Sequence, residues 1–411
     1  MSDSEYLYEA CGSGDLLRVE ELLQVPEVDV NWADEEHHRT PFYRACGQGH
    51  VKVVEHLLKD CRLDLNKPQS QDATPFLVAC QQGQLEVVNL LLQDERVDVN
   101  SAKNDGATPF FMACQFGRLE VVQRLLEDKR IDPNIPNHKS TTPFYVACTK
   151  EDYPVIDCLL ASDRVDVNKS ALKEVSPFFN AVAQGQLQLV VHLLKSDRID
   201  VNKPSAASLT PFMAACEGGN MDVIAVLLAA EAVDVNRPNK DLETPFYTAC
   251  AHGHLAVVQK LSNDARVSLN TPNDEGLTPF HAACQSGHED IVAFLLEDAR
   301  VKVDTPKSDG ASPLFTACDR GHAGVVSQLL KAELVEVNAP KTGNITPLWI
   351  AAQNGHLEVV RTLVEGNREL DYTAKSAEGE DVWNNTTAAE RARQLKFDEV
   401  AALIEVHSEP K

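Results

Sequence analysis

A Thr-Pro or Ser-Pro pair begins at residues 40, 74, 108, 142, 176, 210, 244, 278, 312 and 346, always 34 residues after the one before. A period that strict excludes a single globular core. Each repeat is too short to bury its own apolar face, so the sequence calls for stacked copies of one supersecondary element. Length agrees, because 411 residues exceed the roughly 250–300 at which one core stops growing.

Within a repeat the same signals recur, as in Thr244-Pro245-Phe246-Tyr247-Thr248-Ala249-Cys250, then Gly253-His254, Val257-Val258 and Leu261. The hydroxyl residue caps a first helix, and proline fits the first helical position because its missing N–H has no partner to lose there. Glycine at 49, 83, 117, 185, 219, 253, 287, 321 and 355 ends that helix in the left-handed conformation. A second helix follows, with apolar pairs such as Val53-Val54 and Leu57-Leu58 four residues apart on one face. A Val-Asp-Val-Asn stretch such as 97–100, often with proline beyond it, reads as an extended arm and turn.

These residues, Thr-Pro-Phe-x-x-Ala-Cys, x-x-Gly-His-x-x-Val-Val-x-x-Leu-Leu and Asp-Val-Asn, make the chain resemble the ankyrin repeat family over nearly its whole length. The resemblance implies an all-α ankyrin solenoid of helix-turn-helix pairs with hairpin-like arms, a curved rod on the order of 110 Å long at helix spacing. Residues 1–39 are expected to form an N-terminal capping repeat and its arm, 40–379 ten repeats, and 380–411 a C-terminal capping repeat and tail. Three departures from the family pattern stand out. One residue beyond the usual period of about 33 lies between the second helix and the arm, as at Asp94-Glu95-Arg96. The family's histidine after Thr-Pro-Leu survives only as His281. Glu151 replaces the helix-ending glycine, with Pro154 close behind, so an irregular turn is expected there.

Recurrence also weakens the chemical readings of individual residues. The cysteines of the Ala-Cys pairs, among them Cys46, Cys80, Cys114, Cys148, Cys216, Cys250, Cys284 and Cys318, are read as packed, reduced thiols, since equivalent positions one repeat apart exceed the roughly 7 Å limit for a disulfide. The asparagine series 66, 100, 134, 168, 202, 236, 270 and 338, with Asp304 as the exception, is expected to satisfy backbone groups between arms. His50, His254, His288, His322 and His356 are read as structural, because a metal site needs three or four converging ligands and no HExxH or paired CxxC occurs.

Partner contact is sought where the repeats differ. The variable positions after Ala-Cys are Gln48, Gln81, Gln82, Gln115, Phe116, Lys150, Gln184, Glu217, His252, Gln285, Asp319, Arg320 and Gln353. The resemblance implies partner proteins bound through a concave face there and through the hairpin tips. Phe116, an aromatic at an otherwise polar position, is either an interface anchor or a cover for a neighbouring repeat. The aromatic series Tyr43, Phe111, Tyr145, Phe179, Tyr247, Phe315 and Trp349 reads as packing rather than docking. Lysines at the hairpin tips, 103, 139, 173, 240, 307 and 341, leave a weak case for a phosphate-binding stripe.

The expected function is a protein-interaction scaffold or adaptor with one or more protein partners. An embedded enzyme lacks a nucleophile with base spacing, a GxxxxGK[ST] loop or a clustered acid pair. A purely mechanical spacer would show less variation on that face. A formal charge of −24, from 62 acidic against 38 basic residues, argues against nucleic acid and anionic membranes. No cofactor, metal or small-molecule substrate is expected. No apolar run reaches the roughly 20 residues of a membrane span, and the first residues, Met1-Ser2-Asp3-Ser4-Glu5, carry acid where a signal peptide needs a basic flank. A cytoplasmic or nuclear monomer is the expectation.

Overall fold

The computed structural model describes residues 1–171, 174–366, 368–377 and 385–408. Lys173 and the boundary drawn at 379/380 fall outside them. Among the described residues the chain forms twenty-four α-helices and no strand; one isolated antiparallel bridge joins Lys341 and Ile345. The helices fall in two compact units, residues 1–206 and 207–411.

The first unit runs from Asp3–Ser13 and Leu16–Leu23 to Pro177–Ala183 and Leu187–Leu193, and the second from Pro211–Gly218 and Met221–Ala229 to Ala388–Gln394 and Asp398–Ser408. Within each unit, first helices pack on first helices and second on second. This is the stacking that the period requires, and it makes the family-implied all-α ankyrin solenoid the observed fold.

Local signals act as their chemistry demands. Thr108 Oγ1 accepts the Phe111 amide at 3.2 Å, and the same cap recurs at every Thr-Pro and Ser-Pro, including Ser176 on Phe179 at 3.1 Å. The phenylalanine after proline, at 42, 76, 110, 144 and 178 in the first unit and 212, 246 and 280 in the second, is fully buried. Each such ring contributes on the order of 2–3 kcal/mol of burial. The Ala-Cys thiols are free and buried, and desolvation pushes them well above the ordinary thiol range. Cys61, outside that register, is exposed.

Glu151 corrects one expectation. It adopts φ 55°, ψ 34°, the same left-handed cap as the glycines, and its amide bonds Ala147 and Cys148, so the turn is regular. Pro154 lies in the first turn of Tyr153–Ala161, where no intrahelical N–H is forfeited. A glutamate there bears the Cβ crowding that glycine avoids, roughly 1 kcal/mol; its carboxylate is offset in part by a 2.8 Å bond from Gln186 Nε2.

The extra residue builds a clamp. Asp60 and Arg62, Asp94 and Arg96, Asp128 and Arg130, Asp264 and Arg266, and Asp298 and Arg300 pair at 2.6–2.7 Å across two residues. Each arginine also donates to a carbonyl of the preceding second helix: Arg130 to Leu92 at 2.6 Å, Arg266 to Leu228 at 2.6 Å, Arg300 to Ser262 at 2.8 Å. Helix C-termini leave such carbonyls unpaired, and a cation there also meets the favourable end of the helix dipole. Where the aspartate is absent the guanidinium rests on carbonyls alone, as Arg198 does on Leu160, Ser162 and Val165.

The asparagine series ties the arms as expected. Asn100 Nδ2 donates to the Arg130 carbonyl at 2.6 Å while its Oδ1 accepts the Asp132 amide at 3.0 Å, and Asn66, Asn134, Asn168, Asn236, Asn270 and Asn338 do the same in their own arms. Val97 and Val99 are buried beneath a turn rather than an extended strand. Hairpin tips meet by single backbone bonds, Asn104 N to Gln71 O at 3.0 Å and His138 N to Asp105 O at 2.8 Å.

Candidate functional site

The candidate positions occupy the last turns of the first helices, at Gln48, Gln81-Gln82, Gln115-Phe116, Lys150 and Gln184 in the first unit and Glu217, His252, Gln285, Asp319-Arg320 and Gln353 in the second. At four of them the backbone carbonyl is already spoken for. The residue after the helix-ending glycine reaches back to the preceding repeat, Arg118 Nε to Gln81 O at 2.9 Å, His254 Nε2 to Glu217 O at 2.7 Å, His322 Nε2 to Gln285 O at 2.9 Å and His356 Nε2 to Asp319 O at 3.1 Å, whereas Asp152 and Asn220 cap their own helices. The histidines after glycine are therefore structural, as read. With the helix ends tied by a neighbour, the side chains at the candidate positions are left over for other contacts.

They are not equally available. Gln48, Gln82, Phe116, Lys150, Gln184, Glu217, His252 and Arg320 are exposed, whereas Gln81, Gln115, Gln285, Asp319 and Gln353 are half-buried. Two of the latter already work within the stack, Gln353 Oε1 accepting from Arg391 at 3.3 Å and Asp319 Oδ1 from Asn354 at 3.0 Å. Phe116 is 46% exposed, so its ring does not serve mainly as a cover. It edges a depression of 580 Å³ shared with Lys150, Tyr153 and Pro154. The aromatic series packs: Phe111, Phe179, Tyr247, Phe315 and Trp349 are buried, while Tyr43 and Tyr145 are half-buried. His281 is buried with them, capping Thr278 and facing the Ala311 carbonyl at 3.3 Å.

A larger cleft of 940 Å³ in the first unit joins Gln48 and Gln82 to residues not singled out from the sequence. Burial pushes the Tyr8 phenol up to about 12, helped by the 2.7 Å bond that its Oη donates to Asp34. Arg44 lies 4.4 Å over the Tyr8 ring and 3.1 Å from Glu9. The signal was present, since Arg44 is the one charged residue at a position held by Val78, Met112, Val146, Asn180, Ala214, Thr248, Ala282, Thr316 and Ile350 in the other repeats. Tip lysines are largely neutralised in place: Lys103 pairs with Asp105 at 2.8 Å, and Lys307 and Lys341 share Asp309 at 3.3 and 3.4 Å.

Among the described residues no group of three or more His, Cys, Asp or Glu side chains could hold a metal ion, and no helix is long and apolar enough to cross a membrane. The geometry offers a polar surface with isolated aromatic and charged points, suited to many shallow contacts.

Comparison with family models agrees with the repeat geometry. A family model described as "Ankyrin repeats (3 copies)" matches residues 7–103, 78–171, 178–271, 237–306, 264–340 and 300–376. No curated protein matches the chain. Among solved structures, the chain is similar to the ankyrin repeat domain of Bcl-3, titled a unique member of the IkappaB protein family, at 24% identity over 56% of this chain and 98% of that one, TM-score 0.47. The human ASB11 ankyrin repeat domain matches at 24% identity over 57% and 99%, TM-score 0.48.

Proposed function

The chain belongs to the ankyrin repeat family, whose repeats are generally protein-interaction modules, and on that premise we propose that it is a scaffold or adaptor taking partner proteins on the first-helix face. One observation carries the reading. At Gln81, Glu217, Gln285 and Asp319 the helix-end carbonyl is taken by the next repeat, and the exposed side chains Gln48, Gln82, Phe116, Lys150, Gln184, Glu217, His252 and Arg320 around them serve no internal contact that the fold repeats. Phe116 is the expected anchor, because aromatic side chains concentrate binding energy at interfaces. We read the protein as non-catalytic and monomeric, without cofactor or nucleic-acid partner. Its nine buried thiols suit a reducing compartment, the cytosol or nucleus.

The test is capture of partners from a lysate of the source cells on the immobilised full-length protein, alongside a triple variant Gln82→Ala, Phe116→Ser, Lys150→Glu. All three side chains are exposed, so folding is expected to survive, as a melting curve would verify. Loss of a captured protein by about tenfold or more, the effect of about 1.4 kcal/mol at a single anchor, is the expected result. Equal capture by both proteins would remove this face from consideration.

A further inference from the structure

In the carboxy-terminal unit, two side chains at each joint tie an arm to the next repeat. Asn236 holds the Arg266 carbonyl at 2.6 Å and the Ser268 amide at 2.8 Å, Asn270 holds those of Arg300 and Lys302 at 2.8 Å, and Asn338 those of Glu369 and Asp371 at 2.7 and 2.9 Å. The arginine clamp is the second tie, supplied by Arg266, Arg300 and Arg368.

At the joint between Glu289–Leu296 and Ala323–Leu329 both ties are altered. Asp304 stands at the asparagine position. One carboxylate oxygen accepts the Glu336 amide at 3.2 Å, but the group carries no amide hydrogen to offer the Leu334 carbonyl, the counterpart of the Arg300 carbonyl that Asn270 holds, and Oδ1 is buried without a partner. Burial, together with the nearby Glu336 carboxylate, pushes the Asp304 carboxyl up, the mark of a charge held where it is poorly satisfied. Leu334 stands at the arginine position, 79% exposed, and Ala332 replaces the aspartate that anchors Arg266 and Arg300 in their own turns.

The opposite edge of the same joint is fully tied. His322 Nε2 reaches Gln285 O at 2.9 Å, Thr342 bonds Asp309 O through its amide at 3.1 Å and its hydroxyl at 2.7 Å, and Pro279–Ser286 packs on Pro313–Arg320. A stack of repeats yields first at its weakest nearest-neighbour interface. We propose that this joint is a built-in hinge, opening along the arm edge at Asp304 and Leu334 while pivoting on the first helices and hairpin tips. Gln285, Asp319 and Arg320 lie on the pivot side around a hollow of 110 Å³, so flexing changes the surface offered there, a consequence that rests on the interaction reading above.

Hydrogen exchange of the full chain tests the hinge without any partner. Two lost inter-repeat bonds predict that amides in residues 289–304 and 323–338, the two faces of the joint, exchange about tenfold or more faster than those in 255–270 and in 357–366. The double variant Asp304→Asn, Leu334→Arg restores both ties and brings the four segments within a few-fold of one another. Equal protection in the wild-type protein, or no change in the double variant, overturns the proposal. So does exchange that rises steadily toward Ser408, which is end fraying. Should the double variant fail to fold, Asp304→Asn alone, of the same shape as the native side chain, is required to slow exchange in 323–338 several-fold, and its failure to do so overturns the hinge equally.

Discussion

His281 shows how one side chain sets a pH limit on a repeat. It is buried against the Ala311 carbonyl, and desolvation is the largest of the influences that pull its pKa down to about 4. Its ordinary value is about 6.5, so between those two pH values the unfolded chain binds the proton and the folded chain does not. The stability it contributes is present above pH 6.5 and lost as pH falls toward 4, by on the order of 3 kcal/mol in total. His281→Leu, the residue found at the equivalent Leu77, removes this limb. Denaturant melts of the carboxy-terminal unit at pH 7 and about pH 4.5 should show wild type losing about 2 kcal/mol more than the variant. Equal losses would mean that the imidazole is solvated. The cost falls on a single repeat, because the other equivalent positions hold Tyr, Leu, Phe, Met or Trp, none of which takes up a proton between about pH 7 and 4.

At the scale of helices and turns, the clamp explains why the period is 34. The added residue lets an aspartate and an arginine two residues on form a fork that reaches the end of the previous second helix. Arg130 is about one-third exposed, so its 2.7 Å pair with Asp128 is partly screened and most of its value lies in the 2.6 Å bond to Leu92. Arg130→Ala is expected to cost about 1–2 kcal/mol in chemical denaturation of the amino-terminal unit, and Lys129→Ala, on an exposed side chain beside it, close to nothing. Arg130→Lys should not rescue, since an ammonium cannot hold carboxylate and carbonyl in one planar fork; rescue by lysine would reduce the clamp to simple charge. Helix caps, helix-ending glycines and the arm asparagines were legible in the sequence because each acts within a few residues or recurs in plain register. The clamp arginine recurs in the same register, at 62, 96, 130, 164, 198, 266, 300 and 368, with Ala232 and Leu334 as the exceptions, but its partners lie 33 to 39 residues back, and a motif read inside one repeat does not reveal a bond to the one before. The candidate site was legible only as variability. Variation marks Gln82 and Phe116, which are exposed, and equally Gln353 and Asp319, which are partly engaged inside the stack; exposure and bonding separate them, and neither is written in the residue type. Glu151 was misread because a glutamate disfavours the left-handed turn without forbidding it, and stacking on both sides imposes the turn regardless.

Across the whole molecule the dominant electrostatic fact is imbalance, 62 acidic residues against 38 basic. Part of it is laid down by the repeat itself, since the arm places an exposed aspartate at 64, 98, 132, 166 and 200, one per repeat, at a helix spacing of roughly 10 Å. That spacing is about one Debye length at 0.1 M salt, so these charges repel at low ionic strength and are screened at physiological strength. Two effects of salt oppose each other. Screening weakens the five Asp–Arg clamp pairs, but the arginine of each is 35–58% exposed and the pair worth at most about 1 kcal/mol, with its geometry kept by carbonyl bonds that salt leaves largely intact. Screening also relieves the self-repulsion of a chain with net charge −24, a sum over many pairs that no local bond offsets. The second effect is expected to win. Raising sodium chloride from about 20 mM to about 0.3 M should lift the thermal midpoint by roughly 2–5 °C, and scanning calorimetry at pH 7 in the two buffers measures it. A midpoint that falls with salt would place the balance of charge energy in the clamps rather than in the net charge, and Arg130→Ala would then lose the salt response that wild type retains.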